Sequence, residues 1–362
     1  MKLAVVAALA AALPAFAQIK INDSLSVTGW TVGSYQYTST KGTTGVLNTS
    51  SDSFNVDAAL LGATITPTKE VTATLSFYYK PAAEGGINGP ATSTFNPSEV
   101  TLLDANVAYD CGNGLVVTAG KFLSYLGYES YYAISDNMIT LANQQFLAPI
   151  PGYHEGVKAD YTVDKTLLIG GALVDSEYSN NFAATEGDGH LEHNFGTEGY
   201  IQYTGVENLT LWLGAGYDSK GTPVNPYGLP ATKTHSVVVL DLWASYQVNK
   251  QITLAAEEIY KDGGDAPVAG LPADKGSNWL AYVQYNFTDK LSAWGCFSGE
   301  DVSNSTVAHV TTSGPRYWKA SLSPAYALTA NLTVKAQFSY TKYSDFTAKD
   351  ATFGGVQVAF KF

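Results

Sequence analysis

The sequence predicts an all-β fold: a closed, antiparallel, up-and-down barrel of about sixteen strands that spans a membrane. Three observations predict it. A short phrase recurs along the chain, short connections alternate with long ones, and the segments between them alternate polar and apolar residues with period two.

The phrase is a Tyr, five turn residues and an aliphatic residue: "YTVDKTL" at 161, "YTGVENL" at 203, "YQVNKQI" at 246, "YNFTDKL" at 285 and "YALTANL" at 326. "YDCGNGL" at 109 and "ITPTKEV" at 65 are variants. A recurrence this regular marks one supersecondary unit used many times. Before Tyr161, Val157 and Ala159 share its face while Gly156, Lys158 and Asp160 take the other; Leu167, Ile169, Gly171 and Leu173 continue one face afterwards. Period two is a β-strand, so each phrase is a strand, a tight turn and a returning strand. Asp, Asn and Gly in the turns supply side-chain caps and positive φ.

Between phrases lie segments rich in Gly, Ser, Thr, Asn, Asp and Pro: 39–52, 81–99, 123–152, 176–193, 218–234, 261–276, 300–313 and 342–350. These read as loops. In order, the expected strands are 25–38, 53–66, 71–80, 100–110, 115–122, 153–163, 166–175, 194–204, 207–217, 235–248, 251–260, 277–287, 290–299, 314–326, 330–341 and 351–362. Short turns at one end and long loops at the other are what a barrel in an outer membrane shows, with both termini on the turn rim. A soluble sandwich or solenoid with core tyrosines is the alternative, but it gives no reason for one-sided loop lengths. Six phrase tyrosines end on the apolar face, where an aromatic girdle meets the headgroups, and Trp279 and Trp318 fall at the opposite girdle.

The first 17 residues read as a secretory signal peptide: Lys2, the apolar run "LAVVAALAAALP", and "AFA" before a cleavage point between Ala17 and Gln18. Residues 18–362 then form the barrel domain. The chain ends "VQVAFKF", with Val356, Val358, Phe360 and Phe362 on one face; this resembles the signal that barrel assembly machinery reads. Only 14% of residues are charged and the formal charge is −12. An acidic surface argues against nucleic acid and against an anionic headgroup partner. Cys111 and Cys296 are too few and too far apart for a disulfide framework or a zinc site.

If the girdle face meets lipid, the other face lines the interior. It carries Asp104, Asn106, His154, Lys158, Asp160, Glu198, Tyr200, Gln202, Asp241, Trp243, Gln247, Gln284 and Lys319 on descending strands. Thr72, Thr74, Trp212, Glu257, Trp294, Lys335 and Gln337 come from ascending ones. A polar wall and about sixteen strands leave room for water. Segment 123–152 is the longest loop, is rich in Tyr, Leu and Ile, and carries only the charges Glu129 and Asp136. Bulk water disfavours so much apolar surface, so the loop is expected to fold into the lumen, with a short helix in "SDNMITLANQQF" capped by Ser135 or Asp136. A surface loop packed on its neighbours is the alternative. The expected constriction joins Glu129, Asp136, Tyr128 and Tyr131 of the loop to Lys158, Lys319, Lys335, Glu198 and Asp241 of the wall.

The chain resembles two families. Sixteen strands with an inserted third loop are similar to general bacterial outer-membrane porins. A more specific resemblance is to the putative β-barrel porin-2 family, through "GKF" at 120–122, "GYE" at 127–129, and "PGYHEGV" with Pro151, His154 and Gly156. That family usually has an Arg near an Asn between these motifs; here Asn137 has none, and the chain's one Arg is Arg316. The resemblance implies a Gram-negative outer-membrane protein in contact with lipid, lipopolysaccharide and the assembly machinery. The resemblance to general porins implies a homotrimer, with loop 81–99 as a latch.

The function expected is passive diffusion of small hydrophilic solutes and ions with mild cation preference, with no cofactor and no catalytic or metal site. Two other readings stay open. Trp212, Trp243, Trp294 and Tyr200 could line a sugar-selective path. An outer-membrane barrel enzyme would need a partner for His154, and no motif ties a Ser or carboxylate to it. His190 and His193 have ligand-like spacing, in a segment that reads as a solvated loop.

Overall fold

The computed structural model describes residues 18–43, 45–80, 99–129, 137–142, 145–147, 149–177, 195–219, 236–264 and 272–362. The leader 1–17, Ser135, Tyr131, Asp136, His190 and His193 lie outside the described residues. The first strands are β1 (Gln18–Asn22), β2 (Leu25–Gly42), β3 (Thr49–Ile65), β4 (Val71–Lys80), β5 (Glu99–Gly112) and β6 (Leu115–Leu123). Then come β7 (Tyr153–Thr162), β8 (Leu167–Val174), β9 (Gly196–Tyr203), β10 (Leu209–Asp218), β11 (Val237–Gln247) and β12 (Ile252–Asp262). The rest are β13 (Lys275–Asn286), β14 (Leu291–Val302), β15 (Ser305–Val307), β16 (Val310–Thr312), β17 (Arg316–Ala327), β18 (Leu332–Ser344) and β19 (Ala348–Lys361).

Each strand from β2 to β14 pairs antiparallel with the next, β14 continues through β17 and β18 to β19, and β19 pairs back onto β2. The 17-stranded sheet, less β1, is therefore a closed ring of sixteen, as the sequence predicts. Closure leaves no edge for lipid to strand. β1 sits outside that ring. It pairs only with β2, Gln18 opposite Thr28, just below the point where Phe362 bonds Gly29. β15 and β16 form a small separate hairpin.

Register explains the repeated phrase. Each phrase Tyr lies directly opposite the aliphatic residue that closes the preceding phrase. Tyr109 faces Val71 and Tyr161 faces Leu115. Tyr203 faces Leu167, Tyr246 faces Leu209, Tyr285 faces Ile252 and Tyr326 faces Leu291. Phe360 takes the place of Tyr opposite Leu332. The six tyrosines are 37% to 52% exposed, which places them on the outer surface of the ring. The fixed spacing is therefore an interlock between neighbouring hairpins, built from cross-strand pairs.

The turns are closed by the fourth residue of the phrase. Asp164 accepts from the Thr166 and Leu167 amides, Asn249 from those of Gln251 and Ile252, and Thr288 from those of Lys290 and Leu291. The amide and hydroxyl of Thr166 hold the Asp164 carboxyl below the usual carboxylate range. In "CGNG", Gly112, Asn113 and Gly114 all take positive φ, which only Gly and Asn accept readily.

Three expectations need correction. Residues 342–350 are not a long loop: β18 and β19 run on to Ser344 and Ala348. Polar composition reads alike for a loop and for a hairpin tip standing in water. Segment 39–52 likewise shrinks, because β2 and β3 extend to Gly42 and Thr49. Finally, no helix occurs among the described residues, and Asn137–Thr140 forms bends rather than a helical turn. Its amides bond to wall side chains instead of to the preceding turn.

Candidate functional site

Outward positions carry the exposed Leu, Val and Tyr residues, and inward positions on the same strands are buried and polar. The described part of segment 123–152 bonds to the inward set and therefore lies inside the ring. Its path is a series of backbone amides aimed at wall acceptors. Tyr125 N–H donates to Glu198 Oε2 at 2.8 Å, Gly127 N–H to Asp241 Oδ2 at 2.8 Å, and Tyr128 N–H to Glu257. Ile139 and Thr140 N–H donate to Gln337 Oε1. Gln145, Phe146 and Leu147 N–H converge on Glu300 at 2.9, 2.8 and 3.1 Å, and Asn278 adds a fourth donor at 2.7 Å.

A loop without helix or strand has no ladder of internal partners for its amides, so burial obliges most of them to find partners on the wall. Hydrogen bonds to a charged acceptor contribute about 1.5–3 kcal/mol each. Wall hydroxyls and an ammonium satisfy the loop carbonyls. Ser298 Oγ and Tyr317 O–H donate to Ala142 O, and Lys319 Nζ donates to Leu141 O at 2.7 Å and to Thr140 Oγ1 at 2.8 Å.

Glycines make room for the loop's side chains. A Cβ on Gly214 would stand 2.7 Å from Leu126, and one on Gly276 would stand 2.9 Å from Leu147. Met138 and Ala142 pack on Leu280, Tyr282 and Cys296; Leu126 and Ile150 pack on Val237, Val239 and Ile259.

The residues named for a constriction separate into three settings. Glu129 accepts from Tyr282 O–H and from Ala142 N–H, tying two parts of the loop together, and Lys319 lies within electrostatic reach of it. Burial raises its carboxyl above the ordinary glutamate range. Tyr128 packs edge-on against Trp243 at 5.4 Å. Glu198 and Asp241 hold loop amides, with His154 Nε2 2.9 Å from Glu198 Oε1. Lys158 sits over the rings of Phe122 and Tyr125 at 5.0 and 4.9 Å, and Lys319 holds loop carbonyls. Lys335 lies within electrostatic reach of Asp57, which accepts from Ser34, Gln36 and Gln357.

Glu300 and Asp57 were not singled out by sequence reasoning. Trp294, Cys296 and Ser298 alternate inward, and two more residues of that alternation reach Glu300. A bulge between Val32 and Gly33 hides Asp57 from any such count.

Tyr200, Trp212 and Trp243 stack across β9, β10 and β11, with centroids 4.2 and 5.4 Å apart and planes within 10°. Tyr125 and Tyr128 cap the two ends of this stack. The ring faces that a sugar would need are thus covered by neighbouring rings, and the stack fills wall.

Toward the turn rim the interior changes. Thr72, Thr74, Thr210, Ser245, Thr253 and Gln284 are half-buried and Gln247 is exposed. A recess of about 420 Å³ opens beside Thr210, Ser245, Gln247 and Thr253.

The family model for "Putative beta-barrel porin-2, OmpL-like" matches residues 24–362. The chain belongs to that family. No curated protein matches it. Among solved structures, Pseudomonas putida OprB is similar at a TM-score of 0.67 and 13% identity, over 94% of each chain. An anion-selective porin from Comamonas acidovorans gives 0.63 at 12% identity, over 94% of this chain and 99% of that one. Salmonella typhi OmpF, in a complex with daunomycin, gives 0.62 at 13% identity, over 96% and 100%. At such identities the likeness is one of fold.

Proposed function

We propose that the protein is a passive diffusion channel of a Gram-negative outer membrane, open to small hydrophilic solutes and ions. One observation carries this reading: a charge-poor loop is strapped by its backbone amides to the inside of a sixteen-strand ring, above a vestibule lined largely by hydroxyls and amides. Such a passage selects by width and wall charge, without chemistry.

The ion preference follows from where the charges lie. Asp104, Asp160, Glu198, Asp241, Glu257 and Glu300 outnumber Lys158, Lys319 and Lys335 on the inner wall, but loop amides and hydroxyls already hold most of these carboxylates. The residual field favours cations mildly, and it fades as salt rises. The reversal potential of the folded protein in a planar bilayer under a salt gradient tests this. A small cation-selective potential is expected, and a strongly anion-selective one contradicts it.

The same reading assigns residues 1–17 as a leader cleaved between Ala17 and Gln18, and Phe360 and Phe362 as the mark read by assembly machinery. Phe360 lies in girdle register and Phe362 packs over Gly29, where an added Cβ would stand 2.3 Å from its ring. A homotrimer and contact with lipopolysaccharide belong to this reading as well. N-terminal sequencing and native-gel mass of the folded protein test these assignments. Gln18 and a threefold mass are expected.

A further inference from the structure

The outer surface has one corner unlike the rest. Trp279, Phe297, Trp318 and Tyr340 form a chain of rings on β13, β14, β17 and β18, with centroids 5.2, 5.9 and 5.6 Å apart. Phe297 is 50% and Trp318 39% exposed, so the chain faces outward. Gly299 lies opposite both tryptophans, and a Cβ there would stand 2.6 Å from Trp279. The glycine lets the indole lie across β14. Aromatic rings in this position mark the depth of the lipid headgroups.

A row of charges runs beside the rings, on the side away from the phrase turns. Lys342 is the cross-strand partner of Trp318, and Arg316 lies two residues beyond it on the same face. The row continues through Asp350 on β19 to Lys41 on β2. Lys41 Nζ is 3.5 Å from Asp350 Oδ1, and Arg316 Nε is 3.4 Å from Asp301 Oδ1. Both arginine and aspartate are at least half exposed there. Lys342 makes no ion pair among the described residues. At this end of the rings three cations stand against two acids, a local excess of positive charge on a chain whose formal charge is −12; the exposed Glu258, opposite Trp279, lies at the other end, four strands from Lys342. Elsewhere on the outward face the described lysines near that rim are matched one to one, Lys121 with Glu155 and Lys275 with Asp262.

We propose that this corner holds a phosphorylated lipid headgroup of the outer leaflet, with Lys342, Arg316 and Lys41 on the phosphate and the four rings against the acyl chains beneath. The chemistry fits both parts. A guanidinium and an ammonium form charge-assisted bonds to phosphate oxygens. Basic residues next to a membrane span attract phosphorylated headgroups. The bound phosphate would compete with Asp301 and Asp350 for cations already gathered there. The inference rests on the outer-membrane reading above.

The test uses the full folded protein in detergent. Native mass spectrometry would follow retention of added bis-phosphorylated lipid A, with zwitterionic phosphatidylethanolamine as the comparison. The wild-type chain should retain lipid A preferentially. The double variant Arg316→Glu/Lys342→Glu should lose that retention by roughly tenfold or more. The control Lys275→Gln, on a matched pair elsewhere on the rim, should keep it. Equal retention of the two lipids by the wild type would overturn the proposal, as would an equal loss in the control. Heat-shifted gel mobility and bilayer conductance are read on every variant. A wild-type protein that shows neither would overturn the outer-membrane reading itself, and the lipid site with it.

Discussion

The interior of this barrel has two halves that treat polar groups differently. In the half crossed by segment 123–152, Glu198, Asp241, Glu257 and Glu300 are buried and each accepts from loop amides. In the half nearer the turns, Thr72, Thr74, Thr210, Thr253 and Gln284 are neutral and half-open to solvent. The comparison teaches that charge in a channel wall need not be there for the solute. A buried amide costs about 1–3 kcal/mol when it has no partner. A loop that folds inward therefore recruits acceptors, and carboxylates serve well because a charged acceptor strengthens each bond.

Deleting residues 130–145 attacks the difference directly and should have the largest effect. It removes the strap and leaves the ring, so single-channel conductance should rise roughly two- to threefold, since ring width is set by strand number. The deleted protein should still shift on a gel when heated.

Glu300→Ala comes next. Three loop amides and Asn278 lose their acceptor, at about 3–5 kcal/mol of loop docking in total. Current through the channel should become noisy, with frequent excursions to higher conductance. Glu300→Gln keeps one acceptor oxygen and should fall between the two. Steady wild-type current in Glu300→Ala would mean that the amides of Gln145, Phe146 and Leu147 are satisfied by water.

Gly214→Val probes fit instead of polarity. The new side chain enters the space of Leu126 and should unseat the start of the loop by about 1–3 kcal/mol. Gly354→Ala has nothing within 4 Å of its Cβ and should leave the current unchanged.

The smallest effects separate the halves by charge. Asp241→Asn removes a charge that Gly127 N–H already engages, and the reversal potential should barely move. Gln247→Lys places a bare ammonium in the vestibule and should shift the potential visibly toward anions, more so at low salt. The opposite ranking would show that the wall carboxylates are the selectivity charges after all.

Much of this architecture was legible in the sequence, for a definite reason. Seven hairpins are cut to one spacing because each Tyr must meet the previous phrase's aliphatic residue, and a rule of neighbours repeats in the chain. Inward and outward faces followed from period two, down to Trp212 and Trp243 inside and Trp279 and Trp318 outside. β1 was missed although Ile19 and Ile21 alternate and Asp23–Ser24 makes a turn; beside a cleavage point, five residues look like a tail. The partners of the loop were not legible. Gln145 meets Glu300 across 155 positions and Ile139 meets Gln337 across 198, and no local pattern spans such distances. The expected approach of Glu129 to a wall lysine holds at Lys319, but the larger share of the loop's contacts joins wall acids to loop amides, because the loop has many N–H groups and few charges. The expected helix gave way for the same reason, its amides being spent on the wall.

Amide hydrogen exchange of segment 123–152 tests the central claim most directly. The described part of this segment beyond Leu123 contains neither helix nor strand, so protection there comes from the wall contacts and, at Leu126 and Ala142, from Ser124 and Glu129 of the loop itself. Peptides covering 137–142 and 145–147 should exchange as slowly as those of β13 and β14, and Glu300→Ala should speed exchange at 145–147 while sparing 125–128. Exchange across the segment as fast as in the exposed tip 45–48 would contradict the account, because it would place the loop in solvent and leave the wall carboxylates without their amides.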